Sequence, residues 1–329
     1  MSLISLRGLT KSYGRRRILH GIDLDIDEGQ ILGVAGPNGA GKTTMVECLG
    51  GLRDRDAGTV AVAGVDPAHS TPELRRILGI QLQQIRVPAV LRAREVLELF
   101  ASFYPDPLHP DDLLEEFDLT SQAGQAFAKL SGGQQQRLSV ALALIGQPKI
   151  AILDELTTGL DPAARRRIWA QLERRRAEGM TMLLVTHSME EAQKLCDRMV
   201  IIQDGRVLTD GSPQEIVGRT GVQRTTFHAD VDDAELHALE GCEGVQRVHR
   251  AGGAIVVDGG DASPQAVLAR LAQLGVRATG VGVDRPTLED AYYRLTSGAD
   301  DHAPDDHAPD DHAPDDHTPD ALTNQEATR

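Results

Sequence analysis

Residues 30–44 read QILGVAGPNGAGKTT, and this stretch decides the fold. QILGVAG is a near-continuous apolar run, the pattern of a strand buried on both faces. Gly36, Pro37, Asn38, Gly39, Ala40 and Gly41 then make a glycine-rich loop. Lys42, Thr43 and Thr44 open a helix, KTTMVECLGGL, which Gly50 and Gly51 stop. Strand, loop and helix together satisfy G-x-x-x-x-G-K-[ST] in the setting where that motif holds phosphate. The glycines let backbone N–H groups wrap phosphate oxygens, and the helix aims its positive N-terminal dipole at the same anion. Lys42 is expected to reach the β- and γ-phosphates and Thr43 to offer its hydroxyl to Mg²⁺. A buried strand feeding a helix in this way predicts an α/β fold. The motif marks nucleoside triphosphate chemistry without saying which kind.

Further along, Ile150-Ala-Ile-Leu-Asp154-Glu155 is a second buried strand, with two carboxylates at its C-terminal end. That is the edge where ligands sit in parallel α/β sheets. Asp154 is expected to orient Mg²⁺ or its water, and Glu155 to act as general base toward an attacking water. A strand ending in Asp-Glu is common; beside a phosphate loop it gains this meaning. MTMLLVTH (180–187) is a third such strand, and the helix before it has Asp161 as N-cap and Pro162 at its first position. MVIIQDGRVLTDG reads as a hairpin turning at Asp204-Gly205. Residues 73–127 read as largely helical. Leu130-Ser131-Gly132-Gly133-Gln134 opens another helix. Its free N–H groups make either a simple capped start or a second anion site. A chain needs one such site for its own triphosphate, so a second invites a sandwich in which one protomer closes over the nucleotide of another.

These motifs, in this order, resemble the ATP-binding-cassette (ABC) ATPases over roughly residues 2–217. The resemblance implies a P-loop NTPase cassette: a RecA-like core with an antiparallel β subdomain and a helical subdomain at about 84–145. It implies ATP and Mg²⁺ as cofactors and a homodimer around two ATP. Tyr13 is then the aromatic that stacks on adenine. Gln83, in LGIQLQQ, contacts Mg²⁺ or the attacking water, so Thr43, Gln83 and Asp154 form the metal set. Residues Ser131, Gly132, Gly133 and Gln134 cover the partner's nucleotide. Asp161, in TGLD, touches the opposite protomer, a role that can coexist with capping. His187 holds the γ-phosphate and Glu155. Where the family usually has proline after the Asp-Glu pair, this chain has Leu156. No chemical group is lost, so activity is expected to survive.

Composition shifts near 218, and residues 223–297 alternate strands and helices as a small α+β domain, expected to span 218–298. Its close, RPTLEDAYYRLT (285–296), resembles the end of ABC-2 type exporter ATPases. That implies a separately encoded membrane permease as partner and an accessory domain that stabilises or regulates the dimer. The alternatives are a soluble ABC ATPase without a transport role, or an import ATPase.

The net charge of −15 is uneven: residues 300–329 carry −9 and the other 299 only −6. A mildly acidic body argues against nucleic acid as a partner. Residues 299–329, with DDHAP three times and then DDHTP, are too rich in Asp and Pro to build a core and are expected to be disordered. His302, His307, His312 and His317 recur there every five residues. Three scattered cysteines suggest neither disulfides nor a structural zinc. Nothing resembles a signal peptide or a membrane span. The chain is therefore expected to be cytoplasmic, held on the inner face of the membrane through the permease. Five of its ten aromatics lie between 100 and 127, either as a small core or as a face for that partner.

Overall fold

The computed structural model describes residues 2–69, 71–82, 87–220 and 222–297. Gln83 and the repeat tail lie outside the described residues.

A six-stranded sheet carries the molecule. From one edge its strands run Leu78–Gln81, Ile150–Asp154, Thr181–Val185, Ile31–Ala35, Arg198–Gln203 and Arg206–Gly211. The first five are parallel; the last returns antiparallel through a turn with positive φ at Asp204 and Gly205. Such a turn matches the right-handed twist of its strands. The three central strands, Ile150–Asp154, Thr181–Val185 and Ile31–Ala35, are buried at every position, which explains their unbroken apolar sequences.

Alternate residues of these strands face opposite layers. Leu32, Val34, Ile150, Ile152, Leu183 and Val185 join one cluster, with the helix Lys42–Leu49 and a three-stranded antiparallel sheet. That sheet orders Arg16–Asp27, Ser2–Tyr13 and Ala57–Val62. Ile31, Ala35, Ala151, Leu153, Met182 and Leu184 join the other cluster, under the helices Gly132–Leu144, Pro162–Ala177 and Met189–Leu195. The registers Ile150↔Thr181 and Ile31↔Met182 align the three strands, so residues 36, 155 and 186 emerge at one edge.

The stretch expected to be largely helical contains a strand. After the helix Pro72–Ile77, Leu78–Gln81 pairs in parallel with Ile150–Asp154 at the edge of the sheet. Four residues are too few to show a period, and only the distant partner decides their state. Beyond it, helices Ala93–Ala101 and Pro110–Glu116 pack on Gly132–Leu144. Phe117 and Phe127 are buried there, and Phe100 and Tyr104 rest against the same core; Phe103 is 66% exposed.

Every element expected after 222 is present. Strands Val245–Ala251, Ala254–Gly259, Gln223–His228 and Thr279–Asp284 form an antiparallel sheet in that order. Helices Asp233–Glu240 and Ser263–Gln273 close it over Phe227, Leu239, Ile255, Val257, Val267 and Leu271. The closing helix, Leu288–Ser297, does not join this core. It packs on Pro213–Thr220 and Met189–Leu195, and puts Leu288 and Ala291 into the cluster beneath the six-stranded sheet. Leu288, Ala291, Tyr292 and Leu295 sit at helical spacing, one apolar stripe that needs such a partner.

Candidate functional site

The site assembles where three strands end together. The loop after Ile31–Ala35 leads to Gly41, whose φ of 103° is a left-handed start to the helix Lys42–Leu49, with no side chain capping it. Lys42 is only 7% exposed, and its Nζ donates to the carbonyls of Gly36 (2.7 Å) and Pro37 (3.0 Å). Burial lowers its pKa, against the pull of the Glu155 and Asp154 carboxylates, which places all three charges in one field. Thr43 is exposed beside it.

Asp154 is 2% exposed, and its carboxyl is pushed up to about 6, first by burial and then by Glu155, with Lys42 pulling the other way. Its backbone N–H donates to Gln81 Oε1 (3.0 Å). Among the described residues no group of three or more Asp, Glu, His or Cys side chains forms a metal cage. Mg²⁺ suits this arrangement, because it prefers one or two protein oxygens with substrate phosphates and water completing its shell. The Asp154 carboxylate and the Thr43 hydroxyl are donors of that kind.

Glu155 has φ 53°, a left-handed conformation that costs a non-glycine residue about 1–2 kcal/mol. Several contacts hold it there. Its N–H donates to Val185 O (2.8 Å), its carbonyl accepts from Gln136 Nε2 (3.0 Å), and its Oε1 lies 2.7 Å from His187 Nε2. His187 stands two residues after Val185, the end of Thr181–Val185, so two neighbouring parallel strands bring Glu155 and His187 side by side.

Lys42, Asp154, Glu155 and His187 are thus brought together. Tyr13 is 44% exposed, and the Arg53 guanidinium sits 5.1 Å from its ring centroid. Ser131 and Gln134 are engaged with each other: Gln134 N–H donates to Ser131 Oγ (3.3 Å) and Ser131 N–H to Gln134 Oε1 (2.8 Å). That is a capping box. Asp161 accepts from the N–H groups of Ala163 and Ala164 (both 2.9 Å), which hold its carboxyl below the usual range. The helix that opens at Ser131 reaches the Lys42–Glu155 cluster through Gln136, whose Nε2 donates to the Glu155 carbonyl. Sequence reasoning missed Gln136, Gln81 and Arg53. The first two act through backbone groups far along the chain, which leaves no local pattern.

A family model described as ABC transporter matches residues 19–158. The daunorubicin resistance ATP-binding protein DrrA2 of Streptomyces coeruleorubidus is 36% identical over 310 residues, 89% of this chain and 94% of its own length. The Nod factor export ATP-binding protein I of Rhizobium sp. (strain N33) is 35% identical over 301 residues, 89% of this chain and 96% of its own. Among solved structures, an ATP-binding subunit of an ABC transporter superposes with a TM-score of 0.61 at 28% identity, covering 65% of this chain and 92% of its own. An ATP-binding cassette solved as a post-hydrolysis dimer with ADP and Pi gives 0.58 at 28% identity, covering 64% and 98%.

Proposed function

The chain belongs to the ABC transporter ATPases, among the export ATP-binding subunits, and from that premise we propose how its residues do the work. Two copies close around two ATP molecules and drive a separately encoded membrane permease, on whose cytoplasmic face they sit. Residues 1–217 form the cassette, with its helical subdomain at about 84–145, and 218–298 the accessory region. The closing helix of that region docks back on the cassette.

Gly36 to Thr44 cradle the phosphates, and Lys42 turns from the loop carbonyls to the β- and γ-phosphates. Tyr13 offers a ring face to adenine, with Arg53 over the ring as a further cation. Thr43, Asp154 and Gln83 would hold Mg²⁺, which when bound would neutralise charge on the phosphates. A water attacks the γ-phosphorus as the bond to the leaving ADP oxygen breaks. Glu155 takes the proton of that water, and His187 orients the carboxylate and the γ-phosphate. Ser131 to Gln134 and Asp161 complete the partner's site across the two-fold axis. The relatives differ in the cargo they are named for, which fits a substrate path lined by the permease.

The Glu155–His187 contact of 2.7 Å, beside the buried Lys42 and Asp154, carries this reading. Glu155→Gln is expected to keep ATP affinity, stall hydrolysis and accumulate an ATP-bound dimer on size-exclusion chromatography with Mg²⁺. A monomer under saturating ATP and Mg²⁺ would overturn the sandwich. Recovery of the same variant from detergent-solubilised membranes without any polytopic protein would overturn the permease partnership.

A further inference from the structure

We infer that Gln136 is a positioning residue for Glu155, tying the helix that opens at Ser131 to the general base of the same protomer. The inference rests on the ATPase reading and deepens it. Gln136 lies in the first turns of Gly132–Leu144 and reaches nineteen residues along the chain to the Glu155 carbonyl, with Nε2 at 3.0 Å. The same carbonyl also accepts from the N–H of Thr158, at the longer distance of 3.3 Å. On the other side of Glu155 the N–H is fixed by Val185 O at 2.8 Å.

Pinning both flanking peptides fixes both backbone dihedrals of Glu155, and with them the direction of its Cα–Cβ bond. This matters here because φ is 53°, a conformation the residue leaves unless its surroundings hold it. Neither Glu155 nor Leu156 favours a positive φ at this position, so the restraint falls to contacts such as that of Gln136. The Glu155–His187 contact depends on that direction, since a base misplaced by about 1 Å loses much of its effect.

The link also has a mechanical meaning. Ser131 and Gln136 belong to one rigid element, so a shift at the helix start is passed to the Glu155 carbonyl. In the sandwich that start faces the partner's nucleotide. Gln136 then makes the geometry of one site sensitive to nucleotide at the other.

The test compares the full chain with Gln136→Met, of similar length without a donor, and Gln136→Lys, which keeps a donor of similar reach. For Gln136→Met we expect kcat to fall about tenfold, with KM and the ATP Kd within about twofold of wild type and Tm nearly unchanged. Gln136→Lys should recover most of the lost kcat. Unchanged kcat in Gln136→Met overturns the inference. So does a loss shared with ATP affinity and Tm, or a lysine variant no better than methionine. Crystal structures give a readout independent of turnover. In Gln136→Met, Glu155 should leave the left-handed region and part from His187; retention of both features overturns the inference. Wild-type turnover and the ATP-driven dimer of Glu155→Gln report on the broader reading separately, so the two can fail independently.

Discussion

Two helices of this molecule start on glycine-rich turns, and they treat their first N–H groups in opposite ways. Lys42–Leu49 follows Gly41, which has no side chain to cap it and reaches its position through a φ of 103°. Gly132–Leu144 follows Ser131, whose hydroxyl and whose partner Gln134 complete a capping box. The first start leaves its donors for a ligand and gathers Lys42, Asp154 and Glu155 beside them, with Asp154 buried at a cost. The second satisfies the N–H groups of Ser131 and Gln134 within itself and stands partly exposed. On the proposed reading, the first holds an anion in its own chain and the second is offered, already capped, to a neighbour.

The widest break in this contrast is Lys42→Ala. Removing the ammonium should abolish measurable ATP turnover, a loss of at least about a hundredfold, because the main positive charge facing the phosphates is gone. Normal turnover would defeat the phosphate-loop assignment.

Alanine scanning of the two glycines separates the starts by stability. Gly41→Ala forces a side chain into a left-handed conformation and sets its Cβ 2.6 Å from Leu19 Cδ2, so about 2 kcal/mol should be lost, together with ATP binding. Gly132 has free space around an added Cβ, so Gly132→Ala should stay within about 0.5 kcal/mol of wild type. Denaturant melts of both decide it; equal losses would erase the distinction.

Asp154 sharpens the comparison through pH. Its folded pKa of about 6 lies above the ordinary 3.8, so the folded state keeps the proton to higher pH than the unfolded chain. Stability of the nucleotide-free protein therefore falls as pH rises from about 4 to about 6, and stays lower above that. Asp154→Asn should remove this dependence. It should gain on the order of 1–2 kcal/mol at pH 7.5, match wild type near pH 4, and lose hydrolysis. A variant less stable than wild type at pH 7.5 would contradict the burial argument. A modest loss belongs to the second start: Ser131→Ala should cost about 1 kcal/mol, read as a lowered Tm, by loss of the cap.

The phosphate loop, the Asp154-Glu155 strand and the hairpin at Asp204-Gly205 were legible because each depends on adjacent residues. Their physical requirements, φ freedom, burial on both faces and charge at a strand end, are written locally. The strand Leu78–Gln81 was not legible, since its state comes from pairing with residues 150–153. Gln136 on the Glu155 carbonyl and Gln81 on the Asp154 N–H were hidden for the same reason. A glutamine bonding to a backbone group answers to position in space, and its own neighbours in sequence carry no sign of it. The accessory strands and helices followed from their periodicity, but periodicity says only that Leu288–Ser297 has an apolar face and not which core receives it.

That docking changes the topology of the C-terminal part. The chain leaves the cassette through Pro213–Thr220 and comes back through Leu288–Ser297, which packs against that same helix and puts Leu288 and Ala291 into the buried cluster that holds Ile216. Gln203 Nε2 adds a hydrogen bond to Thr296 O (3.2 Å). The four-stranded unit is thus an insertion held at both ends, with its exit and re-entry side by side. A truncation after 217 would not trim an appendage; it would strip a seam from the cassette and uncover apolar side chains. Excising 222–287 with a short linker would instead leave that seam closed, and gives the protein engineer a route to a minimal cassette.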